Sequence, residues 1–165
     1  MKKKTSDEIV KEWSTRIFSK KMDTSEHFYT DTIPEMKARH FYVLEFMNQY
    51  RNMTNKKIFD FACGQGGLLT IASKYFSFRK IGGVEYSKKN ISKIKKIGKK
   101  NKFKKKFELY NSSIEKLILK EKADIGFLTW TLCNCIDPLN IISSLKKNIK
   151  KDGFLIVAES SRLLV

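Results

Sequence analysis

The chain has 165 residues and a mass of 19.3 kDa, room for one good core and little beside it. Its formal charge is +17, which invites an anionic partner, yet the basic residues are 29 Lys and only 5 Arg, and arginine is the better fork for phosphates and base edges. No apolar run is long enough to span a bilayer, the start MKKKTSDEIVKEW lacks the apolar stretch of a secretory leader, and Cys63, Cys133 and Cys135 show no Cys-x-x-Cys spacing. The expectation is a cytoplasmic protein with no stable membrane insertion and no structural zinc.

The first fifty residues read as helical. Asp7 to Ser19 places Ile9, Val10, Trp13 and Ile17 on roughly one face. The segment SEHFYTDTIPEM is then irregular, and Pro34 suits the first turn of a second helix carrying Met36, Phe41, Val43, Leu44, Phe46 and Met47, which Asn52 and Asn55 bring to an end. His40 lies within that pattern beside Phe41 and reads as structural.

From Lys56 the period changes. Strand, turn and helix recur as IFDFA with LLTIASKYF, KIGGVEY with NISKIKKIGKK, FELYN with SIEKLIL, and ADIGFLTW with PLNIISSLKKNI, before a last strand FLIVAES. Five strands with helical crossovers predict a parallel sheet between helices, an α/β three-layer sandwich of Rossmann-like type. The predicted organisation is an N-terminal helical cap and lid over residues 1–52 and a core over residues 53–165. The fifth strand, which closes the pattern, is expected to be an exposed edge that promotes self-association.

The first turn carries the most chemistry. After Asp60 the chain runs Ala62-Cys63-Gly64-Gln65-Gly66-Gly67, and glycines there bring backbone N–H groups close to a ligand at the start of a helix. Glu85 closes the next strand, where a carboxylate accepts hydrogen bonds from a ribose. Together they describe a nucleoside site. A dinucleotide fingerprint would need a third glycine three residues beyond Gly66, and Leu69 stands there.

This order of elements resembles the class I S-adenosylmethionine-dependent methyltransferases from about Lys56 onward. Their Asp-x-Gly-x-Gly-x-Gly motif stands here as Asp60-Phe61-Ala62-Cys63-Gly64-Gln65-Gly66, with Ala62 in place of the first glycine. An alanine fits if that residue needs no positive φ. The resemblance implies S-adenosylmethionine as cofactor, with Glu85 on the ribose hydroxyls, Tyr86 against adenine, and Asn111 or Ser112 at the adenine amino group. Trp130, in the segment after the fourth strand, is a further expected cofactor-binding residue, with Asp60, Ala62, Gly64 and Gly66 of the turn. It also implies two further strands after the fifth, so the core is expected to be C-terminally incomplete. Since a sulfonium methyl is already activated, the protein need only align acceptor and cofactor, with a base for some acceptors. His27, Tyr29 and Asp31 on the lid and Asp137 after the fourth strand are the candidates. The acceptor expected is a small molecule such as a sugar or biosynthetic intermediate. RNA drawn to Lys88–Lys106, which holds 11 lysines and no acid, is the alternative, and a non-catalytic nucleoside-binding or structural protein is a further one.

Overall fold

The computed structural model describes residues 34–100, 107–132 and 135–159. The helix predicted over residues 7–19 and the lid with His27, Tyr29 and Asp31 lie outside them. The described chain runs α1 (Pro34–Arg51), β1 (Lys57–Asp60), α2 (Gly67–Tyr75), β2 (Lys80–Glu85), α3 (Lys88–Lys100), β3 (Phe107–Asn111), β4 (Ala123–Thr129), α4 (Pro138–Lys146) and β5 (Ile149–Ala158).

Asparagines close α1 as expected. Asn48 Oδ1 accepts from Met53 N at 3.2 Å and Asn52 Oδ1 from Thr54 N at 2.9 Å, while Asn55 turns the chain at φ 61° into β1. The strands form one parallel sheet in the order β3-β2-β1-β4-β5, with Ile58 of β1 registered between Ile81 and Ile125. Alternation along each strand then separates two cores. Ile58, Phe127, Phe154 and Ile156 pack with Leu44 and Met47 of α1, Leu68 to Ala72 of α2 and Ile94 of α3. Phe59, Leu128 and Leu155 face Ile141 and Leu145 of α4 on the other side. The result is the predicted three-layer Rossmann-like arrangement.

Two elements differ from expectation. SIEKLIL forms turns and extended chain instead of a helix, because buried Asn148 takes over its backbone: Leu119 N donates to Asn148 Oδ1 at 2.8 Å and Asn148 Nδ2 donates to Leu117 O at 2.9 Å. The strand FLIVAES begins earlier, at Ile149, and carries Lys151-Asp152-Gly153 within it through a register shift opposite Ala123–Ile125.

The amino ends of the strands carry an ion cluster. Lys57, fully buried, donates through Nζ to Glu121 O at 2.5 Å and pairs with Glu108 Oε2 at 2.8 Å. Lys80 pairs with Glu108 and Glu121, Arg79 with Glu121 and Asp124, and Lys150 with Asp124. This cluster lies at the end of the sheet away from the glycine turn.

Candidate active site

The site is built where the sheet changes direction. β1 is central, β2 and β4 leave it on opposite sides, and the crevice between their carboxyl ends is where open α/β sheets bind ligands. Phe61 N bonds Phe127 O of β4 at 2.8 Å and Cys63 N bonds Val84 O of β2 at 3.0 Å, so the chain leaving β1 is held from both sides. It then turns through Gly64 at φ 51° and Gly66 at φ 85°, conformations that require glycine. Gly66 O accepts from both Thr70 N and Thr70 Oγ1, starting α2 directly behind the turn. A Cβ on Gly66 would press Ile94 Cγ1 of α3 at 3.0 Å, whereas one on Gly64 would meet nothing within 4 Å. Open space therefore faces the turn on its outer side. Ala62 is not among the positive-φ residues, so its methyl group is accommodated.

Two carboxylates lie behind this opening. Asp60 is buried, accepts from Ala62 N at 3.2 Å, and has its pKa raised from 3.8 to about 7, chiefly by burial and further by the charge of Glu85. Glu85 accepts from Ser87 N at 2.8 Å; burial raises its pKa, and the N–H groups of Ser87, Gly64 and Tyr86 oppose that rise. Tyr86 is half-buried beside it. Asn111 uses its amide N–H groups on the ends of β2, donating to Glu85 O at 3.0 Å and to Tyr86 O at 2.7 Å, and leaves its oxygen toward solvent; Ser112 is half-buried next to it.

Burial also strands polar groups that sequence reading passed over. Gln65 Nε2, the Asn90 amide and Ser113 Oγ lack geometric hydrogen-bond partners although their residues are at most 7% exposed. Asn90 belongs to the first turn of α3 after Ser87, and its side chain helps to hold the pKa of the Glu85 carboxylate down. Only its place as an amide in a lysine run could have flagged it.

On the β4 side, Trp130 has φ 51°, a costly backbone for a tryptophan. It is pinned there: Trp130 N bonds Ala158 O at 2.7 Å, and Glu159 Oε1 accepts from Thr131 N at 2.6 Å and Leu132 N at 2.7 Å. His40 of α1 meets the indole edge-on, ring centroids 5.1 Å apart. No sequence signal marked Glu159. Asp137 is exposed and caps α4, accepting from Asn140 N at 2.9 Å. The structure thus brings Asp60, Ala62, Gly64, Gly66, Glu85 and Tyr86 to one crevice, with Asn111 and Ser112 on its β3 side and Trp130 beyond β4.

Residues 52–164 match the sequence family described as "Methyltransferase domain". The chain belongs to that family. No curated protein matches this methyltransferase-domain chain. Among solved structures it is similar to a S-adenosylmethionine-dependent methyltransferase from Clostridium acetobutylicum, with 19% identity and a TM-score of 0.65 over 82% of this chain and 56% of that one. Phosphoethanolamine N-methyltransferase 1 of Haemonchus contortus, in complex with phosphoethanolamine and S-adenosylhomocysteine, shares 18% identity at a TM-score of 0.71, over 96% of this chain and 34% of that one. The [4+2]-cyclase SpnF also has the fold, at 14% identity and a TM-score of 0.62 over 70% of this chain and 43% of its own. The chain therefore spans about half the length of the first of these structures, and at such identities the likeness is one of fold.

Proposed function

We propose that this methyltransferase-domain chain binds S-adenosylmethionine in the crevice between β2 and β4 and serves methyl transfer to a small-molecule acceptor. The observation that carries this reading is the Gly64–Gly66 turn, which faces open space beside the half-buried carboxylate of Glu85 at the switch point of the sheet. Stranded polar groups on Gln65 and Ser113 fit a site whose partners come with a ligand.

In this reading Glu85 holds the ribose hydroxyls, Tyr86 lies along adenine, and the backbone N–H groups of the glycine turn meet the amino-acid tail with Asp60 behind them. Asn111 Oδ1 and Ser112 stand ready for the adenine edge. The bound cofactor supplies an activated methyl group. The chain supplies alignment, and α1 and Trp130 wall the acceptor side against water. Asp137 acts as a helix cap in this account. His27 and Tyr29 remain the proposed residues for taking up a proton from acceptors that release one.

Incubating the protein with methyl-labelled S-adenosylmethionine and a panel of sugars, amines and phenols tests the substrate class. Transfer to a small acceptor is expected. Incorporation confined to RNA, with retention on RNA falling steeply as salt rises, would instead assign the exposed lysines of α3, among them Lys88, Lys95, Lys96 and Lys99, as the substrate face.

A further inference from the structure

A second cleft lies at the other end of α2. That helix starts behind the glycine turn and ends at Tyr75, so its nine residues hold the cleft about 13 Å from the turn. Phe41, Glu45 and Asn48 recur at i, i+4 and i+7 on α1 and so share one face, with Asn52 just past the helix end. This face meets α2 through Phe41, which touches Tyr75 and Phe76. The exposed stripe of Tyr42, Phe46 and Tyr50 is on a different face of α1, the one that meets Phe154 of β5. Phe76 closes α2 in an extended conformation, and Arg79 N donates to Lys56 O at 2.8 Å, so the chain leaving α2 runs beside the turn that follows α1. The space between the two helix ends has a volume of about 620 Å³, inside the range of about 300–1,000 Å³ that small-molecule sites occupy.

The lining of this cleft has a definite sign. The chain carries 34 basic residues against 17 acidic ones, yet among the described residues that line the cleft the charged one is an acid, Glu45. Its Oε1 accepts from Gln49 Nε2 at 2.9 Å, which orients the carboxylate and leaves Oε2 for a ligand. Phe41 meets Tyr75 edge-on, the rings 81° apart in plane with centroids at 5.9 Å, and Phe76 lies at 5.6 Å, so three rings from two helices make a corner. Both helices also end here, and their last-turn carbonyls bring the negative ends of two helix dipoles together. Arg51, the basic residue of the last turn of α1, is turned elsewhere, over Tyr50 and Phe154. Ring faces, a carboxylate and carbonyl dipoles share one preference, an organic cation. A metal ion would want several oxygen ligands where one carboxylate is offered, and an anion would be repelled. Donors line the rest. Asn48 and Asn52 use Oδ1 to accept from Met53 N and Thr54 N, so their amide N–H groups are not spent in those bonds, and Thr54 and Ser77 add exposed hydroxyls.

We propose that this cleft is a binding site, separate from the cofactor crevice, for a small organic ammonium ion that also bears oxygen. Phe41, Tyr75 and Phe76 hold the charged end beside Glu45, and the amides of Asn48 and Asn52 meet the oxygen.

Titration of the full chain, followed by nuclear magnetic resonance, with choline and separately with its uncharged tert-butyl analogue, in which carbon replaces the nitrogen, tests the proposal. Saturable shifts centred on Glu45, Tyr75 and Phe76 are expected for choline, with the uncharged analogue about fivefold weaker or more. Glu45→Gln removes the charge and keeps an oxygen for Gln49, and Tyr75→Ala removes an exposed ring; each should weaken choline about two- to fivefold, while Glu45→Gln leaves the uncharged analogue unmoved. Should Tyr75→Ala fail to fold, Glu45→Gln with the two probes carries the test alone. No saturable binding, equal affinity for the two probes, an affinity for choline indifferent to Glu45→Gln, or shifts centred on Glu85 and Trp130 would each overturn the proposal.

Discussion

Asp60 is the residue at which structure and ligand chemistry meet most sharply. Burial, joined by the charge of Glu85, raises its pKa from 3.8 to about 7, so between those values the folded protein keeps a proton that the unfolded chain has lost. Stability contributed at this position must fall as pH rises through that window. Thermal unfolding of wild type should therefore lose ground relative to Asp60→Asn between about pH 4 and pH 7, since acids other than its coupled neighbour Glu85 cancel in the difference. Equal pH profiles for the two proteins would mean that Asp60 is ionised throughout. A cationic ligand reverses the balance by favouring the carboxylate. Affinity for S-adenosylmethionine, which carries a sulfonium charge that S-adenosylhomocysteine lacks, should rise with pH up to about 7 more steeply than affinity for the latter, as isothermal titration across pH would show. Gly64 gives a second residue-scale test. A Cβ there has free space, but φ is 51°, so Gly64→Ala should cost about 1–2 kcal/mol in urea unfolding through backbone strain alone. No loss would mean that the turn relaxes.

At the scale of elements, periodicity and punctuation were enough where local chemistry decides the outcome. Pro34 and Asn52 bracket α1, the apolar runs IFD and ADIGFLT become the central strands, and the glycine turn lies between β1 and α2. The segment SIEKLIL was misread because its helical spacing is overridden by Asn148, a residue distant in sequence that supplies one donor and one acceptor to Leu117 and Leu119. Removing that side chain strands both backbone groups in the core. Asn148→Ala should therefore cost about 1–3 kcal/mol for each, measured by urea unfolding, a loss too large for an ordinary turn residue. The same blindness applied at the site. Asp60, Gly64, Gly66 and Glu85 were legible because their spacing is local to one strand-turn-helix-strand unit. The clamp of Glu159 on Thr131 and Leu132, and the edge contact of His40 with Trp130, join segments that only the tertiary fold brings together.

For the molecule as a whole, the two ends of the sheet divide the work. Buried Lys57 and its neighbour Lys80, through the acids Glu108 and Glu121 that they share, tie the amino ends of β1, β2 and β3 into one charged cluster, leaving the carboxyl ends free to carry glycine turn, Glu85 and Trp130. The charge excess is segregated too, with α3 on the β2 and β3 side of the sheet and the aromatic stripe of α1 toward β5. Composition alone could report the sum and not this separation. The claim on which everything else rests is that Gly64–Gly66 and Glu85 form a nucleoside site, and calorimetric titration with S-adenosylhomocysteine tests it most directly. Wild type should bind one equivalent, and Glu85→Ala should weaken binding by about 1.5–3 kcal/mol, roughly ten- to a hundredfold, with the fold intact. Absence of binding to wild type, or unchanged heats after Glu85→Ala, would contradict the account.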